Sequence, residues 1–170
     1  MPNWCLNRLT IEHDDIEKVN EFVEAYKRGE TCEHYLPTPK NEDGSLDEDW
    51  WDYRVNNWGT KWDFGGEGEW IEQDGNMVRC SYDTAWSPPI GLYERLQVLG
   101  FYVRASYFEP GIGFAGKWID GEDNHYDHTG NYEDFPQNLI DEYNMHEWYD
   151  DDDEDDSPIR LVGVPKHPES

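Results

Sequence analysis

The sequence predicts one α+β domain over residues 1–149 and an acidic tail over 150–170, and three observations predict it. Apolar residues recur at strand spacing, then helical spacing, then strand spacing, and the cycle repeats. Aromatic residues are abundant, with 9 Trp, 11 Tyr and 6 Phe in 170 residues. Seven consecutive acids, Asp150, Asp151, Asp152, Asp153, Glu154, Asp155 and Asp156, then end the patterned region. The aromatics decide between a folded and a disordered chain. Leu, Ile, Val and Phe number only 31 and the formal net charge is −26, which alone would indicate disorder. Each aromatic buries roughly 150–250 Å², so together they supply the core that the aliphatics cannot.

The elements follow in order. Trp4 to Ile11 reads as a strand. Asp14 offers an N-cap with Glu17 three residues on, and Ile16, Val19, Phe22, Val23 and Tyr26 continue at helical spacing. Lys27 and Arg28 suit the negative end of the helix dipole, and Gly29 closes it. Pro37 and Pro39 forbid a long helix next, leaving Leu46 to Tyr53 as a short acidic one. Glu69 to Gln73 and Asn76 to Tyr82 flank Asp74-Gly75, a pair suited to a two-residue hairpin turn. Ser87-Pro88-Pro89 reads as a helix start, Leu92, Leu96 and Leu99 form one face, and Gly100 stops it. Phe101 to Phe108 alternates as a strand, and Ile112 to Ile119 adds a further one. Gly121 to Asn131 is polar turn material, and Pro136 to Tyr149 is expected to hold a last helix. The apolar patch Ile159-Arg160-Leu161-Val162 in the tail offers an extra strand. Strand, helix, strand, strand, helix, strand is the split βαββαβ pattern of a ferredoxin-like antiparallel sheet with helices on one face, here with an added C-terminal strand.

Several classes drop out. No apolar run approaches the roughly 18–20 residues a membrane helix needs, and Met1-Pro2-Asn3-Trp4 does not open a secretory signal, so a cytoplasmic location is expected. Cys5, Cys32 and Cys80 are odd in number and widely spaced, which fits reduced thiols and not a disulfide framework. Direct binding to nucleic acid is not expected, because phosphate contacts need a basic surface.

Four stretches carry a family resemblance. MPNWCLNRLTI at 1–11, NNWGTKWD at 56–63, TAWSPP at 84–89 and YFEPGIGFAG at 107–116 occur in this order. They resemble the YubB-like, Api-type family of phage and plasmid proteins. The resemblance spans residues 1 to about 120 and implies a ferredoxin-like fold and a home on mobile genetic elements. It implies no reaction. The tail departs from the family pattern. On physical grounds Trp4, Trp58, Trp62 and Trp86 are expected to pack together beneath the sheet, with a Trp-rich recognition groove as the functional alternative.

Chemistry-bearing constellations are sparse. His125, Asp127 and His128, with Glu122 and Asp123 just before, combine imidazole and carboxylate as a divalent metal site would, but a further ligand must come from elsewhere. A polar hairpin tip is the plainer account. Asp120 to Asn124 lacks the spacing of a calcium loop, and Gly65-Gly66-Glu67-Gly68 lacks a phosphate-binding lysine. Cys32 is expected to be exposed beside Glu33 and His34, where a carboxylate works against a thiolate. No cofactor is expected.

The acidity is the strongest signal. Without the ten acids of residues 141–156 the chain still holds 29 acids against 13 bases, so the excess covers the folded body. A charge of −26 matches the phosphates of roughly 13 base pairs of duplex DNA. Such a surface steers toward a basic cleft. The expectation is a non-enzymatic phage or mobile-element protein that binds and inhibits a basic host DNA- or RNA-binding protein or defence nuclease, by acidic DNA mimicry. The acids expected to meet that partner are Asp150 to Asp156, with Asp47, Glu48, Asp49 and Asp52 as a second patch. A metal-dependent hydrolase built on His125, Asp127 and His128, and an accessory module of a phage assembly, are the alternatives.

Overall fold

The computed structural model describes residues 3–127 and 131–149. Its elements are β1 (Trp4–Glu12), α1 (Ile16–Lys27), α2 (Thr31–Tyr35), α3 (Trp50–Asn57), β2 (Trp70–Asp74), β3 (Met77–Ala85), α4 (Ile90–Val98), β4 (Tyr102–Glu109), β5 (Phe114–Ile119), β6 (Glu122–Asp127) and α5 (Gln137–Tyr143). Turns of 3-10 helix at Tyr132–Asp134 and Met145–Glu147 flank α5. The fold is α+β, with one antiparallel sheet of six strands in the order β2-β3-β1-β4-β5-β6.

Alternation along the strands builds a core on each face of the sheet. Leu9 and Ile11 of β1, Val78, Cys80 and Tyr82 of β3, Val103 and Ala105 of β4, and Trp118 of β5 point to one face. There they meet Val19, Phe22, Val23 and Tyr26 of α1, Cys32 and Tyr35 of α2, and Leu92, Tyr93 and Leu96 of α4. Leu6, Phe108 and Ala115 pair across β1, β4 and β5 on the opposite face. They pack against Phe135, Leu139, Ile140, Tyr143, Met145 and Tyr149. Helices therefore cover both faces of the sheet, not one. The reason is local: an apolar row at one end of an otherwise polar face can be buried only by an element returning after β6.

The elements α1, β2 and β3 stand close to their expected bounds, with Asp15 in place of Asp14 as the cap of α1, its carboxylate accepting the Glu17 N–H at 3.0 Å. The acidic helix is shifted. It runs over Trp50–Asn57, because Asp47 to Asp49 are taken up by a turn in which the Asp47 carboxylate accepts the Asp49 N–H at 2.9 Å. Two strands, β5 and β6, are added to the expected four, where one was expected. Residues 122–127, expected as a turn, form β6, all six of them exposed and joined to β5 through the short reversal at Asp120 and Gly121. Trp58, Trp62 and Trp86 do not form one cluster. Trp58 is in the main core, Trp62 stacks on Trp50 at 5.8 Å, and Trp86 is half-exposed at positive φ. Cys32 is fully buried, as are Cys5 and Cys80, and all three thiols are free. The tail, with its expected extra strand, lies outside the described residues.

Candidate functional site

The acidic patch sits on a loop held by one arginine. The helix α3 buries none of its own residues, so its position depends on other contacts. The Arg54 guanidinium lies over the rings of Trp50 at 5.0 Å and Trp58 at 4.5 Å. It donates to Thr38 Oγ1 at 3.0 Å and to the Lys61 carbonyl at 3.2 Å, and it approaches Glu33 at 3.8 Å. Glu33 in turn accepts from the Thr38 N–H and hydroxyl at 2.9 and 2.7 Å. The Asp63 carboxylate accepts the N–H groups of Cys32, Glu33 and Phe64 at 2.7 to 2.9 Å. Burial raises the Asp63 carboxyl above its ordinary range, against the pull of those three donors. The result is a fixed base from which Glu48, Asp49 and Asp52 project exposed, with Asp47 half-buried beside them. These four expected residues are brought together; Asp150 to Asp156 lie outside the described residues.

The second constellation is on β6. His125 Nε2 is 3.1 Å from Asp127 Oδ1, and His125 Nδ1 is 3.1 Å from the Tyr107 hydroxyl. That hydroxyl donates to Asp123 Oδ1 at 2.6 Å. Burial raises the Tyr107 phenol far above its ordinary value, and its bond to Asp123 adds to this, so it stays protonated and serves as a donor. His128 lies outside the described residues, and among those described no group of three or more His, Cys, Asp and Glu is placed to hold a metal. No thiolate is available either. Burial pushes Cys5, Cys32 and Cys80 well up, and at Cys32 the Asp63 carboxylate adds to this.

A third surface was not singled out by sequence reasoning. On the sheet face left open beside α5, Arg8 lies between Ser81 and Ser106 in the pairing, and Ser106 pairs with Lys117. One pleat further, Thr10 lies between Arg79 and Arg104. The signal was present, since Arg8 and Arg104 stand out of phase with the apolar positions of their strands.

At the β2 side of this face, Glu69 lines a depression with Arg8, Trp70 and Asp83. Burial, and secondarily Asp83, raise its carboxyl to about 7. A carboxyl with a raised folded-state pKa favours the native state most below its unfolded value, and that contribution is lost as pH rises through about 7. After allowance for its partial exposure, stability is expected to fall by on the order of 1 kcal/mol between pH 5 and 8 from this residue. Urea unfolding across that range checks it: Glu69→Gln should flatten the slope, and an unchanged slope would remove Glu69 as its source.

Comparison with known proteins gives no match among family models, curated proteins or solved structures. The class is therefore defined by the architecture itself: an α+β protein with a six-stranded antiparallel sheet, clothed in carboxylates. No helix among the described residues is long and apolar enough to cross a membrane.

Proposed function

We propose that this chain is a non-enzymatic binding protein of a phage or other mobile element, which inhibits a basic, nucleic-acid-handling host protein by presenting carboxylates in place of phosphates. The observation that carries the reading is the charge of −26, of which −16 remains outside residues 141–156 and so lies for the most part on a body with an aromatic core. The patch Asp47, Glu48, Asp49 and Asp52 supports it, being exposed for the most part and anchored through Arg54. The order β4-β1-β3-β2 among the first four strands supports a ferredoxin-like core; kinship to YubB-like, Api-type proteins rests on the four sequence stretches alone.

Affinity capture from bacterial lysate, with and without excess duplex DNA, tests the reading. A basic nuclease or other DNA- or RNA-binding protein displaced by DNA is the expected outcome; partners insensitive to both DNA and salt would favour an assembly module and overturn mimicry. With the captured partner in hand, the combined change Asp47→Asn, Glu48→Gln, Asp49→Asn and Asp52→Asn is expected to slow association about tenfold at low salt. Ser-Gly repeats in place of residues 150–156 should weaken binding as well. Unchanged affinity at low salt would remove the altered segment from the mechanism.

A further inference from the structure

We propose that the open face of the sheet is a docking surface for an acidic polypeptide, and that its occupant is the chain's own segment Asp150–Asp156. The inference concerns a group of cations on this face and does not depend on mimicry of DNA.

Four of the 13 Lys and Arg residues, Arg8, Arg79, Arg104 and Lys117, lie on this one face, spread over β3, β1, β4 and β5. Acids outnumber bases threefold in the chain, and elsewhere Arg28 and Arg54 have found carboxylates at 3.4 and 3.8 Å. None of the four has one within 4.0 Å among the described residues. Arg8 rests over the Tyr143 ring at 5.1 Å, which leaves its donors for another partner. A depression of about 400 Å³ runs between Arg8, Arg104, Ser106, Lys117 and Glu142.

Position identifies the occupant. The last described residue, Tyr149, is buried on this same side of the sheet, its ring against Phe108 and its hydroxyl donating to the Pro110 carbonyl at 3.3 Å. Trp148 lines the depression that holds Arg8. The seven acids follow directly on Tyr149. Extended, they span roughly 23 Å, at about 3.3 Å per residue. The path from β3 to β5 crosses three strand spacings, roughly 14 Å. The acidic segment is therefore long enough to pass all four cations.

The rim argues for a tethered segment over a free polyanion. Glu12, Glu72, Asp74 and Asp83 share this face with the cations, as does Glu122 on β6, and Glu69 and Glu142 line its depressions. They lower the attraction for a long nucleic acid. A segment joined to the surface at its edge acts at an effective concentration in the millimolar range, which offsets that repulsion.

Zero-length cross-linking of the full chain tests the proposal. A carbodiimide joins a carboxylate to a lysine amine as an amide, with loss of water, and Lys117 is the lysine of this face. At 50 mM salt the Debye length is about 14 Å, so the attraction is felt across the face, whereas at 0.5 M it is about 4 Å and the attraction is largely lost. The expected product is an amide between Lys117 and one of residues 150–156. Mixing ¹⁴N and ¹⁵N chains should leave it isotopically pure. Its yield should fall at least fivefold in 0.5 M salt and in the Arg8→Gln, Arg104→Gln double variant, whose fold is checked by circular dichroism. Lys117 joined only to Glu142 or other body carboxylates overturns the proposal. Isotopically mixed products assign the face to a second copy and overturn it too. Loss of the product on adding a twelve-nucleotide single strand, with binding of that strand, would give the face to nucleic acid instead.

Discussion

Gly91→Ala is expected to lower the unfolding free energy by about 3–5 kcal/mol, the range of a severe core clash. In an ordinary helix the same change would stabilise by up to about 1 kcal/mol, because alanine has the higher propensity. The first turn of α4 gives the opposite sign. The Gly91 N–H donates to the Trp58 carbonyl at 3.0 Å, which draws the end of α3 against α4. A β-carbon there would stand 1.7 Å from the Asn57 carbonyl oxygen and 2.6 Å from its carbon. Both are backbone atoms, so no side chain can swing aside; two helices must separate. Urea unfolding followed by far-ultraviolet circular dichroism measures this, with Glu94→Ala, exposed on the same helix, as a control expected within about 0.5 kcal/mol. Equal or greater stability for Gly91→Ala would contradict the close approach of α3 and α4.

Trp58→Ala is expected to cost a comparable 3–5 kcal/mol, since a fully buried indole is replaced by a cavity. Its effects extend to the acidic patch. The indole N–H donates to the Leu36 carbonyl at 2.7 Å and the ring supports Arg54 at 4.5 Å. Without it, α3 keeps Trp50 against Arg54 and the Gly91 bond to the residue-58 carbonyl, but loses the indole that seats Arg54 on the core. Amide exchange over residues 47–57 should then rise by more than the global loss of stability accounts for; exchange that follows global stability alone would show the loop to be held by other contacts. Gly91 and Trp58 share a hydrogen bond, so the double variant should lose less than the sum of the two single changes.

Elements with a clear period and a clear stop were readable from the residues. In α1 the apolar positions at helical spacing fix the buried face, and Gly29 ends it at φ +73°. The hairpin of β2 and β3 forms where expected but one residue later: Asp74 pairs with Met77, so the two-residue turn is Gly75-Asn76 and not Asp74-Gly75. The strand β6 gave no such signal, because neither of its faces is buried and no alternation is imposed on it. The opposite placement of α5 was equally hidden. It follows from Leu6 and Phe108 sharing a cross-strand pair, and register is a non-local property. At the candidate site, the acids of residues 47–52 were legible as charge, but their anchor was not. Arg54 works through Trp50, Trp58, Thr38 and Lys61, which only the fold brings together. The cationic face was missed because four bases are inconspicuous among 39 acids until the pleat aligns them.

The two outer strands have a bearing on self-association. A sheet ends in unpaired N–H and C=O groups that invite another chain, and among the described residues β2 and β6 are the ends of this one. Each is short, and each carries exposed carboxylates: Glu72 and Asp74 on β2, Glu122, Asp123 and Asp127 on β6. Edge-to-edge stacking of two copies would bring like charges face to face, so the same acidity that burdens the fold with self-repulsion also opposes such stacking. That guard is electrostatic and not steric. Concentrated salt or divalent ions remove it without touching the core, and fibrous or strand-swapped assemblies of an intact fold are the form its failure takes.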